Sequence, residues 1–309
     1  MRVFVAGATG AIGRPLVHQL VEGGHQVTGM TRSEERAARL REGGAEAVVA
    51  DALDAEAVRS AIAAAAPEAV IHQLTDLPQD FSMRYGYGAT SRLRTEGTRN
   101  LLEGASAAGA RRFVAQSIAF VYDPAGPEVA SEDDATLPPG GDKFGEAVAA
   151  VFEMERTVTG AEGIEGLALR YGFFYGPGTW YTTDSSFARQ VRRRWFPIVG
   201  DGAGVFSFIH VEDAAAATIA ALERGAPGVY NVVDDDPAPM RDWARGLAEA
   251  LGAKPPWRVP LWLSRPIAGR NATMAARDMR GASNAKVKRE LGFEPRYPSW
   301  RQGFREGLS

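Results

Sequence analysis

The chain contains no cysteine, which excludes disulfides, thiolate metal sites and a cysteine nucleophile. Histidine is almost as scarce: His18, His25, His72 and His210 are the four present, and their spacing makes no metal site. No apolar run approaches the roughly 18 to 20 residues that a membrane span needs. Charge of one sign is not in excess. The formal net charge is -3, which gives no electrostatic reason to expect nucleic acid or a membrane surface as partner. The sequence runs straight into a strand-like stretch, Arg2 to Ala6, without the charged, apolar and small-residue regions of a secretory leader. These absences lead to the expectation of a soluble cytoplasmic protein.

What is present is an alternation of short apolar runs and longer helical patterns. "VFVAG" (3–7) reads as a strand and "AIGRPLVHQLVEGG" (11–24) as a helix closed by glycines. "QVTGMTR" (26–32) is the next strand, and "SEERAARLREGG" (33–44) has a serine cap, an acidic first turn and a glycine stop. The unit repeats through 45–54 and 55–67, "EAVIHQL" (68–74) is a fourth strand, and a long helical stretch (90–109) leads to "ARRFVAQS" (110–117). Strands apolar throughout and separated by helices predict a parallel sheet covered on both faces. After Ser117 the texture changes: 122–142 is rich in Pro, Gly and acidic residues and reads as a long loop, a candidate border for an active site. A helix over 144–158 and a strand and turn over 165–176 follow, and from Pro177 the elements become shorter.

Gly7, Gly10 and Gly13 stand at three-residue spacing between the first strand and the first helix. The first permits a tight turn, the second lets backbone approach a pyrophosphate, and the third allows close packing of helix on strand. Helix N-terminal amides then face the anion. In this context the pattern predicts a bound dinucleotide. The end of the second strand carries Thr31 and Arg32 where NAD binders usually carry a carboxylate. A guanidinium there suits a 2′-phosphate, so NADP(H) is favoured over NAD(H), against the alternative of a solvated surface arginine. Asp51, after the third strand, fits an adenine contact. Expected cofactor contacts are Gly7, Thr9, Gly10, Ala11, Ile12 and Gly13, then Thr31 and Arg32, then Asp51, Ala52 and Leu53.

These features resemble the short-chain dehydrogenase/reductase superfamily in its extended form, the NAD-dependent epimerase/dehydratase family. "GATGAIG", "EGTRNLLEGASAAGARRFVAQS", "LRYGFFYGPG" (169–178), "FIHVEDAAAATIAALE" (208–223), "GVYNVVDDDP" (228–237) and "NAKVKRELGFEPRYPSWRQGF" (284–304) carry the resemblance over nearly the whole chain. It implies an α/β Rossmann-type doubly wound sheet over 1–176, with a smaller substrate-binding region over 177–309 from which helix 210–225 and strand 228–233 return to the sheet. It also implies cofactor contacts at Gln73, Leu74, Thr75 and Tyr171.

The resemblance breaks at catalysis. The family's acid/base tyrosine and its lysine four residues on are missing: aligning Glu155 with the family's helix glutamate puts Ala147 and Val151 at those positions. Phe173 stands where many relatives carry an Asn. The chain thus resembles the atypical members. Ser117 occupies the position of the catalytic Ser/Thr, either as a polarising hydroxyl or as a simple strand-end residue. Tyr122 is a candidate phenol or a packing ring, Lys143 a candidate acid/base or a solvated lysine behind its helix cap Asp142, and Tyr181 a residue that could reach the site from the C-terminal region. The arginines of "RQVRRRWFP" (189–197) either grip an anionic substrate or form a solvated face. The expected activity is an NADP(H)-dependent oxidoreductase on a carbonyl or alcohol of a small molecule. A non-redox epimerase, dehydratase or cyclase, and an NADP(H)-sensing regulator, remain as alternatives. The apolar face of helix 144–158, with Ala147, Val151 and Met154, allows a homodimer.

Overall fold

The computed structural model describes residues 1–78, 80 and 86–309, and the side chains of 264–272 lie outside the described set. The first half runs β1 (Arg2–Ala6), α1 (Gly13–Glu22), β2 (Gln26–Thr31), α2 (Glu34–Glu42), β3 (Glu46–Val49), α3 (Ala55–Ala65) and β4 (Ala69–His72). Then come α4 (Gly88–Arg92), a π-helical turn (Leu93–Gly97), α5 (Thr98–Ala107), β5 (Arg112–Ile118), the short β6 (Val129–Ala130), α6 (Lys143–Thr159), β7 (Glu165–Tyr171) and β8 (Phe173–Tyr175). The rest comprises α7 (Ser186–Arg192), β9 (Ile198–Val199), β10 (Val205–Phe206), β11 (Phe208–His210), α8 (Val211–Glu223), β12 (Gly228–Val232), β13 (Ala238–Pro239) and α9 (Met240–Ala250). It closes with β14 (Arg258–Val259), α10 (Leu261–Asp278), β15 (Gly281–Ala282), α11 (Ala285–Leu291) and α12 (Trp300–Glu306).

Seven strands form one parallel sheet in the order β12-β7-β5-β4-β1-β2-β3. This is a Rossmann-type doubly wound α/β fold. The period-2 alternation of β1 divides its residues between two cores. Val3 and Val5 pack with Leu16 and Leu20 of α1 and with Ala214, Ala217 and Ala221 of α8. Phe4 and Ala6 pack on the other face with Val58 and Ile62 of α3, Leu101 and Ala105 of α5, and Met154 and Val158 of α6. Strands buried on both faces explain why the sequence shows continuous apolar runs. A third core, rich in aromatics, holds Tyr175, Phe187, Phe208, Trp243, Trp300 and Phe304 and lies in the C-terminal part.

Helix starts follow the sequence closely. Ser33 caps α2 by accepting from the Arg36 N–H, Asp54 caps α3, and Asp142 caps α6 by accepting from the Gly145 N–H. The loop over 122–142 is held from a distance. Arg280 donates to the Pro127 carbonyl (2.5 Å), to the carbonyls of Asp123 and Ala125, and to the Asp134 carboxylate (2.7 Å). Those contacts hold the Asp134 carboxyl low, at about 2, with the Arg280 hydrogen bond the largest cause. The apolar residues of α6 expected to face a second copy are instead interior: Ala147, Val151 and Met154 are all buried within the chain. Among the described residues, no helix is long and apolar enough to cross a membrane.

Candidate active site

In an open parallel sheet ligands bind outside the carboxyl ends of the strands, where the strand order reverses. Here that point lies between β1 and β4. Gly7 follows β1 with φ +90°, and a Cβ on it would lie 2.7 Å from the Gln73 carbonyl oxygen after β4. A Cβ on Gly13 would lie 2.1 Å from the Gly7 carbonyl oxygen, so helix and loop meet only because that residue is glycine. The Gly10 N–H donates to the Gly7 carbonyl at 3.0 Å and closes the turn. No side chain caps α1, and its first turn holds no acidic residue. Its N-terminal amides and positive dipole end are therefore left for an anion, and this cradle fits a dinucleotide pyrophosphate.

The other expected cofactor residues sit along the same edge. Thr9 and Ala11 are half-buried in the loop, and Ile12 packs into the core. Thr31 is buried at the end of β2, and the next residue, Arg32, is 63% exposed and lies 3.5 Å from the Asp76 carboxylate. Asp51 accepts from the Leu53 N–H at 2.9 Å, while Asn100 of α5 donates to the Ala52 carbonyl at 2.9 Å and fixes that loop. Gln73 is buried and Leu74 and Thr75 are half-buried beside it. Tyr171 is different. The residue is wholly buried, its hydroxyl meets Thr218 at 2.6 Å and the Gln73 amide at 3.2 Å, and its carbonyl accepts from the Ala119 N–H at 2.8 Å, so the structure leaves it no surface for the expected cofactor contact.

His72, at the end of β4, is 2% exposed. Its Nδ1 accepts from the Leu74 N–H at 3.2 Å, which leaves the proton on Nε2, 3.3 Å from the Leu93 carbonyl. Burial lowers its pKa to about 4. An ordinary histidine in the unfolded chain titrates near 6.5, so the folded value lies below the unfolded one. The associated stability is full above the unfolded pKa and is lost as pH falls toward the folded one. Between about pH 7 and about pH 5 this group alone removes about 2 kcal/mol. Urea unfolding at the two pH values should show that loss shrinking in His72→Gln, and an equal loss in both proteins would refute it.

Of the residues expected to be catalytic, Ser117 and Tyr122 are joined through Glu155 and Arg170, while Lys143 is exposed and Tyr181 is in the aromatic core. Ser117 has no exposed surface, and its hydroxyl donates to Glu155 at 2.6 Å. Tyr122 is 4% exposed; it donates to Asn231 Oδ1 at 2.6 Å and accepts from Arg170 at 3.1 Å. Burial raises its pKa, and Arg170 offsets this only in part, so the phenol is further from neutrality than a free one. Lys143 opens α6 and is exposed. Tyr181 is packed against Phe187 and Trp243 in the aromatic core, where burial pushes its pKa upward. The hydroxyls of Ser117 and Tyr122 thus hold protein partners in place of the catalytic contacts expected of them. The physical reason is strand alternation: Ser117 faces α6, whereas its neighbour Ile118 is half-buried at the strand end.

Glu155 and Arg170 form the centre of that buried network. Both side chains are 6% exposed, and two parallel bonds of 2.8 and 2.7 Å join them. Burial disfavours the Arg170 charge, but the Glu155 carboxylate outweighs it and the guanidinium pKa is raised. Ala147 and Val151, where the family resemblance would place tyrosine and lysine, are 5% and 0% exposed.

Other features were not anticipated. Trp180 donates its indole N–H to the Pro78 carbonyl at 3.0 Å, and Arg189 lies 3.9 Å from Asp80, so the C-terminal region holds the segment after β4. Of the other arginines of that run, Arg192 donates to the Thr183 carbonyl and Arg194 to that of Pro255, while the Arg193 guanidinium lies over the Trp195 ring. Phe120 and Phe173 stack at the ends of β5 and β7. Two surface cavities, of about 450 and 460 Å³, lie elsewhere; the first is lined by Leu137, Phe152 and Thr159, the second by His18, His210 and Tyr297. Among the described residues no group of three His, Asp or Glu side chains could hold a metal ion.

Comparison with known proteins agrees with this frame. The family model described as NAD dependent epimerase/dehydratase family matches residues 3–232. The 3-diazoavenalumate denitrifying reductase of a Streptomyces species is 46% identical over 98% of this chain and 99% of that protein. The 2-alkyl-3-oxoalkanoate reductase of Stenotrophomonas maltophilia is 29% identical over 82% of this chain and 76% of that protein. Among solved structures, the UDP-glucose 4-epimerase of Thermus thermophilus in complex with NAD superposes with a TM-score of 0.76 at 24% identity, covering 100% of this chain and 98% of that one. The chain belongs to the NAD dependent epimerase/dehydratase family, and it is an enzyme of the NAD(P)-dependent oxidoreductase or epimerase/dehydratase-like type.

Proposed function

We propose that the chain is an NADPH-dependent reductase whose acceptor needs no proton from the enzyme, with an aryl diazonium ion as the type. The observation that supports this reading is that Ala147 and Val151, at the positions where the resemblance would place the phenol and ammonium, are buried apolar side chains. Bound in the glycine cradle, the nicotinamide nucleotide supplies a hydride. Reducing a carbonyl to an alcohol also consumes a proton, which a tuned general acid usually delivers. A diazonium group consumes none: hydride adds to the terminal nitrogen, the resulting diazene loses N2, and hydrogen takes its place on carbon. The 46% identity to a reductase that acts on a diazo compound supports the same choice.

The chain's own residues then bind and orient. The loop from Gly7 to Gly13 holds the pyrophosphate, and Arg32 meets the 2′-phosphate, exchanging its long contact to Asp76 for a charge-assisted one. Trp180 fixes the Pro78 carbonyl by its indole N–H. Arg32→Ala is expected to weaken NADPH binding by roughly 10- to 100-fold and NADH binding by less than about 2-fold. Calorimetric titration of both nucleotides checks this, and equal losses for the two would remove the NADP assignment.

The activity itself is tested with a benzenediazonium salt, following NADPH oxidation and N2 release against a protein-free control. One N2 per NADPH, at a rate independent of pH across about pH 6 to 8, is the expected result. A second reading, a ketone reductase, has the support of the 2-alkyl-3-oxoalkanoate reductase likeness. NADPH oxidation by a 3-oxo acid, without protein-dependent oxidation by the diazonium salt, would establish that reading instead.

A further inference from the structure

Phe120 lies two residues past the end of β5, and Phe173 opens β8 two residues past the end of β7, the neighbour of β5 in the sheet. Their rings stack with centroids 4.6 Å apart and planes 16° from parallel. Phe173 is braced from behind by Phe206 at 5.0 Å and Phe208 at 6.0 Å, both buried, so its ring is held in place. Yet Phe120 and Phe173 themselves are only half-buried, with Ile118 half-buried beside them on β5. An apolar, fixed pair of rings thus stands partly open at the carboxyl ends of adjacent strands, where ligands of such sheets bind.

We propose that the face of Phe120 turned away from Phe173, backed by the Phe173 ring, forms a stacking platform for the acceptor, which makes a planar aryl compound the substrate class. The inference rests on the reductase reading for its chemistry and adds the kind of framework that carries the group to be reduced. The pair offers π-faces and no hydrogen-bonding atom, so it suits a flat unsaturated ring and gives nothing to the hydroxyls of a sugar. A stacked aryl ring also lies in a defined plane, and that orientation is what a hydride acceptor needs when no acid/base pair positions it. The positive hydrogens at a ring's edge and its negative face favour offset or edge contact with a third ring, so a bound aryl group extends the existing stack.

The test is calorimetric titration of the full chain, with saturating NADP+, using three probes: 4-hydroxycinnamate, its non-planar counterpart 3-cyclohexylpropanoate, and UDP-glucose. Wild type is expected to prefer the planar acid over the cyclohexyl acid by about 10-fold or more, with no measurable UDP-glucose binding. Phe173→Leu and Phe120→Leu should each reduce that preference to less than about 3-fold, while thermal unfolding and NADP+ affinity stay at wild-type values. Equal binding of the two acids, absence of binding by the planar acid, or a preference unchanged in both variants would overturn the platform. Failure of the reductase reading looks different: the planar acid binds with its preference intact, but no acceptor oxidises NADPH. Two variants keep the test decisive where one of them fails to fold.

Discussion

Glu155→Ala lowers the unfolding free energy by about 3–5 kcal/mol, the largest stability loss expected of any single substitution outside the apolar cores. The carboxylate holds Arg170 by two bonds and accepts from Ser117, and all three groups are buried. Removing it leaves a guanidinium in the interior between β7 and α6 with only the Tyr122 hydroxyl, 3.1 Å away, and the faces of Tyr122 and Phe152 beside it. A buried pair is costly to break and much less costly to replace whole. Glu155→Leu combined with Arg170→Met is therefore expected to recover most of the loss. Urea unfolding of the single and double variants measures both quantities. A single-variant loss below about 1 kcal/mol would show that the pair is solvated in solution.

Gly13→Ala is expected to weaken NADPH binding by at least about 100-fold, or about 2.7 kcal/mol. The added methyl carbon would lie 2.1 Å from the Gly7 carbonyl oxygen and 2.7 Å from the Ala8 carbonyl carbon, both backbone atoms with no side-chain freedom to yield. The loop must therefore move away from α1, and the amides that converge on the pyrophosphate separate. The sheet beyond the loop is untouched, so the fold survives while the cradle does not. Circular dichroism together with nucleotide titration separates the two effects. Retention of affinity within about 5-fold would mean that the loop has slack that these contacts do not indicate.

The sheet was legible because its signals are local. Apolar runs bounded by glycine and by capping residues mark β1 to β5, and Ser33, Asp54 and Asp142 stand where helices begin. The glycine loop is legible for the same reason, since spacing and context suffice to identify it. Side-chain direction at strand ends is not local. Ser117 and Ile118 are adjacent, and a one-residue change of register decides which of them faces the cleft and which faces Glu155. Helix 143–159 presents a related difficulty: Ala147, Val151 and Met154 read equally well as a face for the sheet or for another chain, and only the packing against β5 and β7 decides. The Trp180 contact with Pro78 and the hold of Arg280 on the 122–134 segment join residues about a hundred or more positions apart. No short pattern encodes such pairs. The alanine and valine at positions 147 and 151, by contrast, could be read directly, and under the register that the resemblance implies they guide the choice of chemistry proposed above.

The grip of Arg280 has a consequence for the protein's synthesis. Its partners lie 146 to 157 residues earlier in the chain, and the edge strand β12 joins a sheet whose other six strands precede it. On the ribosome, the glycine loop and all seven sheet strands therefore emerge before the arginine that fastens residues 123–134, so that fastening is a step only the completed chain can make.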